Sequence, residues 1–95
     1  MKVKALTTYR LSEAADQCDL NPEIIQEFIA YEWICPADPA ELKLDEEDIA
    51  RIHLIKELIE DLGVNDESIP IILHLIDELN HLHLNLEAFK KNVNQ

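Results

Sequence analysis

The most regular pattern in the chain lies at its C-terminal end. Ile72, Leu75, Leu79, Leu82, Leu86, Phe89 and Val93 alternate at intervals of three and four residues. That is the a/d repeat of a coiled-coil seam, so residues 68–95 are predicted to form an amphipathic dimerisation helix. Ile69, Leu73 and Ile76 widen the stripe at its start, as expected of a helix whose first turns pack on preceding helices. The narrower remainder would leave an apolar strip open in a monomer, and a partner helix or a second copy is expected to cover it.

Upstream, residues 1–67 show shorter apolar patterns. Residues 3–9 carry β-branched and aromatic side chains and read as a short strand or extended arm. Ser12 is placed to cap a first helix over residues 13–18, and Asp19-Leu20 makes a turn. Asn21 then caps a second helix, with Pro22 at its first position, where a missing N–H costs nothing. Ile24, Ile25, Phe28, Ile29 and Trp33 form its apolar stripe, and Cys35-Pro36 is expected to end it. "PADPAELKL" combines two prolines with an alternating Leu42, Lys43, Leu44 and predicts a wing or short hairpin. Asp45 caps a third helix, whose first turn holds Glu46, Glu47 and Asp48 and whose buried face is Ile49, Ile52, Ile55, Ile59 and Leu62. Gly63 fits its stop, residues 65–67 turn, and Ser68 is placed to cap the last helix, with Pro70 in its first turn. The fold class is therefore mainly α: a winged helix-turn-helix followed by a dimerisation helix.

Composition sharpens this picture at one point. The net charge is −12, but residues 11–89 hold all 20 acids against Lys43, Arg51 and Lys56, hence −17 over that span. Nucleic-acid affinity comes from phosphates neutralised by Lys and Arg, so such a surface repels DNA, RNA and anionic lipid. It steers instead toward basic partners. The second helix states the contrast locally, since its outer positions offer Glu23, Gln26, Glu27 and Glu32 and no Lys or Arg.

Candidate chemistry is sparse. One glycine permits no Gly-rich phosphate loop, Ser12 and Ser68 are accounted for as caps, and no His is near Cys18 in sequence, so no catalytic residue is assigned and an enzyme is not expected. His74, Asp77, Glu78, His81 and His83 cluster on the last helix, with His74/Glu78 and Asp77/His81 four apart. A solvated face with local ion pairs accounts for them better than a metal site, because His74 and His81 lie about 10 Å apart along a helix. No metal, cofactor or small-molecule substrate is expected. Cys18 and Cys35 are too few for a disulfide framework and read as reduced thiols. With no signal peptide, lipidation motif or membrane-spanning run read in the sequence, a soluble cytoplasmic protein is expected. "DEED" at positions 45–48 caps a helix and also offers a basic partner its densest local negative charge. Trp33 reads first as core, with an interface anchor as the alternative.

The order of arm, helix, turn, helix, wing, third helix and dimerising helix resembles the MerR-type winged helix-turn-helix. In that family the second helix carries an Arg that meets DNA, a Tyr-rich segment and a Gly-Leu before a proline. Here Gln26 stands where the Arg is expected, Glu27 and Phe28 replace tyrosines, and Glu32-Trp33 replace Gly-Leu. The chain is more similar to a divergent branch, the chaperone-modulator CbpM family. "LKLDEEDIA" resembles its wing-to-helix junction and "IILHLIDELNHLHLNLEAF" its final helix, within a likeness spanning roughly residues 5–89. The resemblance implies a homodimer that binds the J-domain of a CbpA-like, DnaJ-type co-chaperone and inhibits its co-chaperone and DNA-binding activities. J-domains present a basic helix to their heat-shock chaperone partner, and an acidic cover would block it. Glu23, Gln26, Glu27, Glu46, Glu47 and Trp33 are the expected docking residues; Ile72, Leu75, Leu79, Leu82, Leu86, Phe89 and Val93 are the expected dimer seam. The alternatives are a MerR-type DNA-binding transcriptional regulator, for which Lys43, Lys2, Lys4 and Arg10 would have to meet phosphates, and an oligomerisation module of an unrelated complex.

Overall fold

The computed structural model describes residues 7–93, with side chains described through Lys91. It contains four helices: α1 (Leu11–Cys18), α2 (Pro22–Ala30), α3 (Glu46–Glu60) and α4 (Ile69–Val93). They fall into two compact units, Met1–Val64 and Asn65–Gln95. Among the described residues the only β pairing is two isolated antiparallel bridges, Tyr9 with Leu44 and Asp38 with Lys43. Most of the arm expected over residues 3–9 lies outside the described residues.

In the first unit α1 packs on both α2 and α3. Ala14, Ala15 and Cys18 of α1, Ile25 and Phe28 of α2, and Ile49, Ile52, Ile55 and Leu58 of α3 are all buried, together with Trp33, Ile34 and Leu44. Small residues on α1 let its neighbours approach closely, and the isoleucines fill the remaining volume. Two pairs of backbone bonds order the wing, one joining it to the chain before α1 and one closing it on itself. Tyr9 N–H donates to Leu44 O at 2.7 Å and Leu44 N–H to Tyr9 O at 2.9 Å, while Asp38 and Lys43 exchange bonds of 3.1 and 3.0 Å. Asp38 Oδ1 also accepts from Ala40 and Glu41 N–H, which closes the turn between the prolines and the lysine. The alternation expected through Leu42 fails there, because Leu42 takes a left-handed φ of 55° and only Leu44 points into the core.

The helix ends explain several departures from the expected boundaries. α1 begins at Leu11, so Ser12 lies inside it; Glu13 Oε1 accepts the Arg10 N–H at 2.9 Å and does the capping instead. Asn21 Oδ1 accepts Glu23 N–H at 3.0 Å, as the Asn-Pro start predicts. α2 stops at Ala30, six residues before Pro36, at a Schellman reversal. Trp33 N–H donates to Phe28 O and Glu32 N–H to Ile29 O, both at 3.0 Å, with Glu32 at φ 64°. The apolar contact that completes such a reversal is Trp33 on Phe28, ring centroids 5.6 Å apart. α1 ends the same way at Asp19, φ 53°, with Leu20 N–H on Ala15 O.

α3 starts at a reciprocal box: Asp48 N–H donates to Asp45 Oδ1 at 2.8 Å and Asp45 N–H to Asp48 Oδ2 at 3.0 Å. Asp48 Oδ2 also accepts Ala37 N–H at 3.0 Å, which ties the wing to the helix start. Asp45 and Asp48 are buried, and their side-chain oxygens accept backbone N–H groups. Because α3 closes at Glu60, with Gly63 at φ 66° beyond it, Leu62 falls outside the helix and is exposed; Leu58 takes its place on the buried face. In the second unit Asn65 Oδ1, not Ser68, supplies a side-chain cap, accepting Ser68 N–H at 3.0 Å one turn before α4. Ile69 and Leu73 are buried at the start of α4.

Candidate docking face on the second helix

α2 turns Ile25 and Phe28 inward. Its exposed positions are then fixed by the helical period. Glu23, Gln26, Glu27 and Ala30 are all exposed, at i, i+3, i+4 and i+7 on one side. Tyr31 follows at i+8. It keeps helical backbone angles, donates its N–H to Glu27 O at 2.9 Å, and leaves 54% of its surface open. The row therefore reads acid, amide, acid, alanine, tyrosine. Tyr31 was absent from the expected docking set, although its spacing of four from Glu27 and eight from Glu23 was available in the sequence.

Glu46 and Glu47 are exposed as expected, but on a separate helix start. Of "DEED", the two aspartates are consumed by the internal box and only the two glutamates face outward. Trp33 is 7% exposed, so it belongs to the core rather than to the outer face. It lies 5.6 Å from Phe28 and 4.9 Å from Tyr31 between ring centroids. Its part in any docking face is to brace Tyr31 from behind.

The cations of this span serve the chain's own fold. Lys43 Nζ lies 3.3 Å from Glu41 on the wing. Arg51 Nε donates to Trp33 O at 2.8 Å and so fixes the chain after α2. Lys56 Nζ donates to Cys18 O at 2.9 Å and Asp19 O at 3.3 Å, satisfying carbonyls left over at the end of α1 and favouring that helix's negative end. Burial pushes the Cys18 thiol above its ordinary pKa, with Lys56 pulling weakly the other way, and the thiol lies 4.0 Å from Ile49 O. Cys35 is exposed and free.

On α4 the expected seam is open. Leu75, Leu79, Leu82, Leu86 and Phe89 are all exposed, Leu79 at 66% and Leu82 at 62%, while Ile72 is half-buried. Val93 closes the helix beyond the residues whose side chains are described. His74 Nε2 lies 4.0 Å from Glu78 Oε1 and His83 Nε2 lies 3.4 Å from Glu87 Oε1, each one turn along the helix and on exposed side chains. Among the described residues no group of three or more His, Cys, Asp or Glu is placed to hold a metal ion. No helix among them is long and apolar enough to cross a membrane.

The sequence matches a family model described as MerR HTH family regulatory protein over residues 9–91. No match is found among curated proteins or among solved structures. The matched span takes in α1, the turn at Asp19, α2, the wing, α3 and nearly all of α4. On that match, and on the helix-turn-helix and wing described above, the chain belongs to the MerR family of helix-turn-helix regulatory proteins.

Proposed function

We propose that this chain is a non-enzymatic, homodimeric, cytoplasmic modulator that binds the J-domain of a CbpA-like, DnaJ-type co-chaperone and inhibits its co-chaperone and DNA-binding activities. One observation carries the reading. The outer row of α2, where a DNA-reading helix needs cations, presents Glu23, Gln26 and Glu27. The side chains of Lys43, Arg51 and Lys56 meet the fold's own carboxylates and carbonyls. Such a face attracts a basic helix and repels phosphate, and a J-domain offers a basic helix. Docking there would cover the surface that the heat-shock chaperone needs. Glu46 and Glu47 extend the negative field from the start of α3.

The test is a calorimetric titration of the purified co-chaperone into wild type and into E27K and E46K. Reversal of an interfacial charge is expected to weaken binding by about tenfold or more, with unchanged helicity. Affinity that does not move in either variant removes these residues from the interface.

The family membership favours a second reading, a MerR-type DNA-binding transcriptional regulator. Anisotropy of labelled duplex DNA at low salt separates the two. Tight, sequence-specific binding would overturn the co-chaperone reading, since the proposed face lacks the charges to produce it.

A further inference from the structure

We infer that Tyr31 is the anchor of the α2 row and that it takes a Lys or Arg side chain of a basic partner helix onto its open ring face. The identity of the partner rests on the co-chaperone reading; the chemistry of the contact rests on the geometry below.

Three observations converge on this ring. It continues the acidic row, one helical turn beyond Glu27, so a cation lying along the row meets a carboxylate and then an aromatic face. It is half open, whereas its neighbour Trp33 is buried. And it is held. The Schellman reversal at Glu32 brings Trp33 back over the end of α2, where the indole sits 4.9 Å from Tyr31 at 44° and 5.6 Å from Phe28 at 34°. Tyr31 is thus the outermost member of a cluster of three tilted rings whose other members belong to the core. A single exposed aromatic carries no meaning by itself. A ring braced from behind, fixed at its backbone by the Glu27 carbonyl and set beside exposed carboxylates, is different. Little side-chain freedom remains to be lost on binding. The negative ring face attracts a cation, and Arg stacks on it best. Glu27, one turn away, and Glu23, a further turn along the same row, select a cationic partner over a phosphate.

The experiment compares wild type, Y31F, Y31L and Y31A in the full chain against two probes, the purified J-domain co-chaperone and a synthetic amphipathic helix of Leu and Arg. Helicity and the emission of Trp33, the sole tryptophan, check the fold of each variant. Loss of the ring is expected to weaken binding about tenfold in both Y31A and Y31L, while Y31F, which keeps the ring face, stays within about threefold of wild type. Y31L is the critical variant, because it still covers Trp33 with an apolar side chain. Co-chaperone binding that ignores Y31A and Y31L overturns the Tyr31 assignment and leaves the co-chaperone reading standing. Tyr31-dependent binding of the Arg peptide with none of the co-chaperone does the reverse. Wild-type affinity in Y31L alone overturns stacking of a cation. A chain that ignores both probes and binds duplex DNA through Tyr31 overturns both inferences.

Discussion

α3 and α4 are built from the same residues and end in opposite situations. Each is rich in Ile and Leu at helical spacing. In α3 the stripe Ile49, Ile52, Ile55 and Leu58 is buried against its own unit. In α4 the stripe is more regular, yet Leu75, Leu79, Leu82, Leu86 and Phe89 stand open. The difference teaches that apolar period reports a face to be covered and says little about what covers it. The finer distinction is in the width. α3 uses neighbouring positions on a broad face, which suits a globular core. α4 narrows after Ile76 toward the three-and-four spacing of Leu79, Leu82, Leu86 and Phe89, which suits a single companion helix. Covering each exposed Leu or Phe of this seam would be worth about 1.5–3 kcal/mol, which supports the dimer proposed above.

The comparison breaks first at the seam. Replacing Leu79 and Leu82 together with Asp would place unpaired charge in the contact, at a cost of several kcal/mol per chain. Sedimentation velocity should report a dimer for wild type and a monomer for the double variant. The near-ultraviolet signal of Trp33, which belongs to the first unit, should persist. A double variant of wild-type mass would show that the open stripe of α4 is not a dimer seam. The next effect is in α3. Ile55→Ala removes a fully buried side chain and should destabilise the first unit by about 2–5 kcal/mol, seen in denaturant unfolding followed by Trp33 emission. Leu82→Ala, the same kind of truncation on α4, should lower stability in a way that depends on protein concentration, as association-linked terms do. Equal, concentration-independent losses at both sites would erase the distinction.

What the sequence made legible follows the same line. The starts of α2 and α3 were readable because Asn21-Pro22 and Asp45 are local chemistry, and each side chain finds the N–H expected of it. The outward row Glu23, Gln26, Glu27 was readable because the period fixes it. The ends were less so. Cys35-Pro36 marks a place where a helix cannot continue, but α2 had already reversed at Glu32, a residue with no conventional stop signal. Leu62 fits the period of α3 and misses the helix by two residues, so it is exposed. The "DEED" run looked like one acidic patch, but backbone donors at Ala37, Asp45 and Asp48 divide it into two buried and two exposed carboxylates. No local rule anticipates a bond from a wing residue eleven positions upstream. Trp33 lies in the core, the first of the two readings its type offered, and Tyr31 lies outside it, because the reversal at Glu32 decides which ring turns inward.

That reversal offers the smallest and most discriminating test of how these helices are ended. α3 is followed by Gly63 at φ 66°, the residue type that such a conformation favours, whereas α2 is followed by Glu32 at φ 64°. A side chain there carries a steric penalty of about 1–2 kcal/mol, part of which returns as the greater backbone entropy of glycine in the unfolded chain. E32G should therefore stabilise the first unit by up to about 1 kcal/mol and raise its melting temperature by about 4–8 °C per kcal/mol. The mirror variant, G63A, should destabilise by about 1 kcal/mol although nothing lies within 4 Å of the added Cβ, because the strain is in the backbone and not in the packing. Opposite signs in the two melts would establish that both positions hold a left-handed backbone met by different residues, although the hydrogen bonds around them differ, Trp33 N–H to Phe28 O after α2 and Val64 N–H to Leu58 O after α3. A destabilised E32G would instead mean that the Glu32 side chain contributes something to the end of α2 beyond filling a left-handed position. The docking row would then have to be extended to include it.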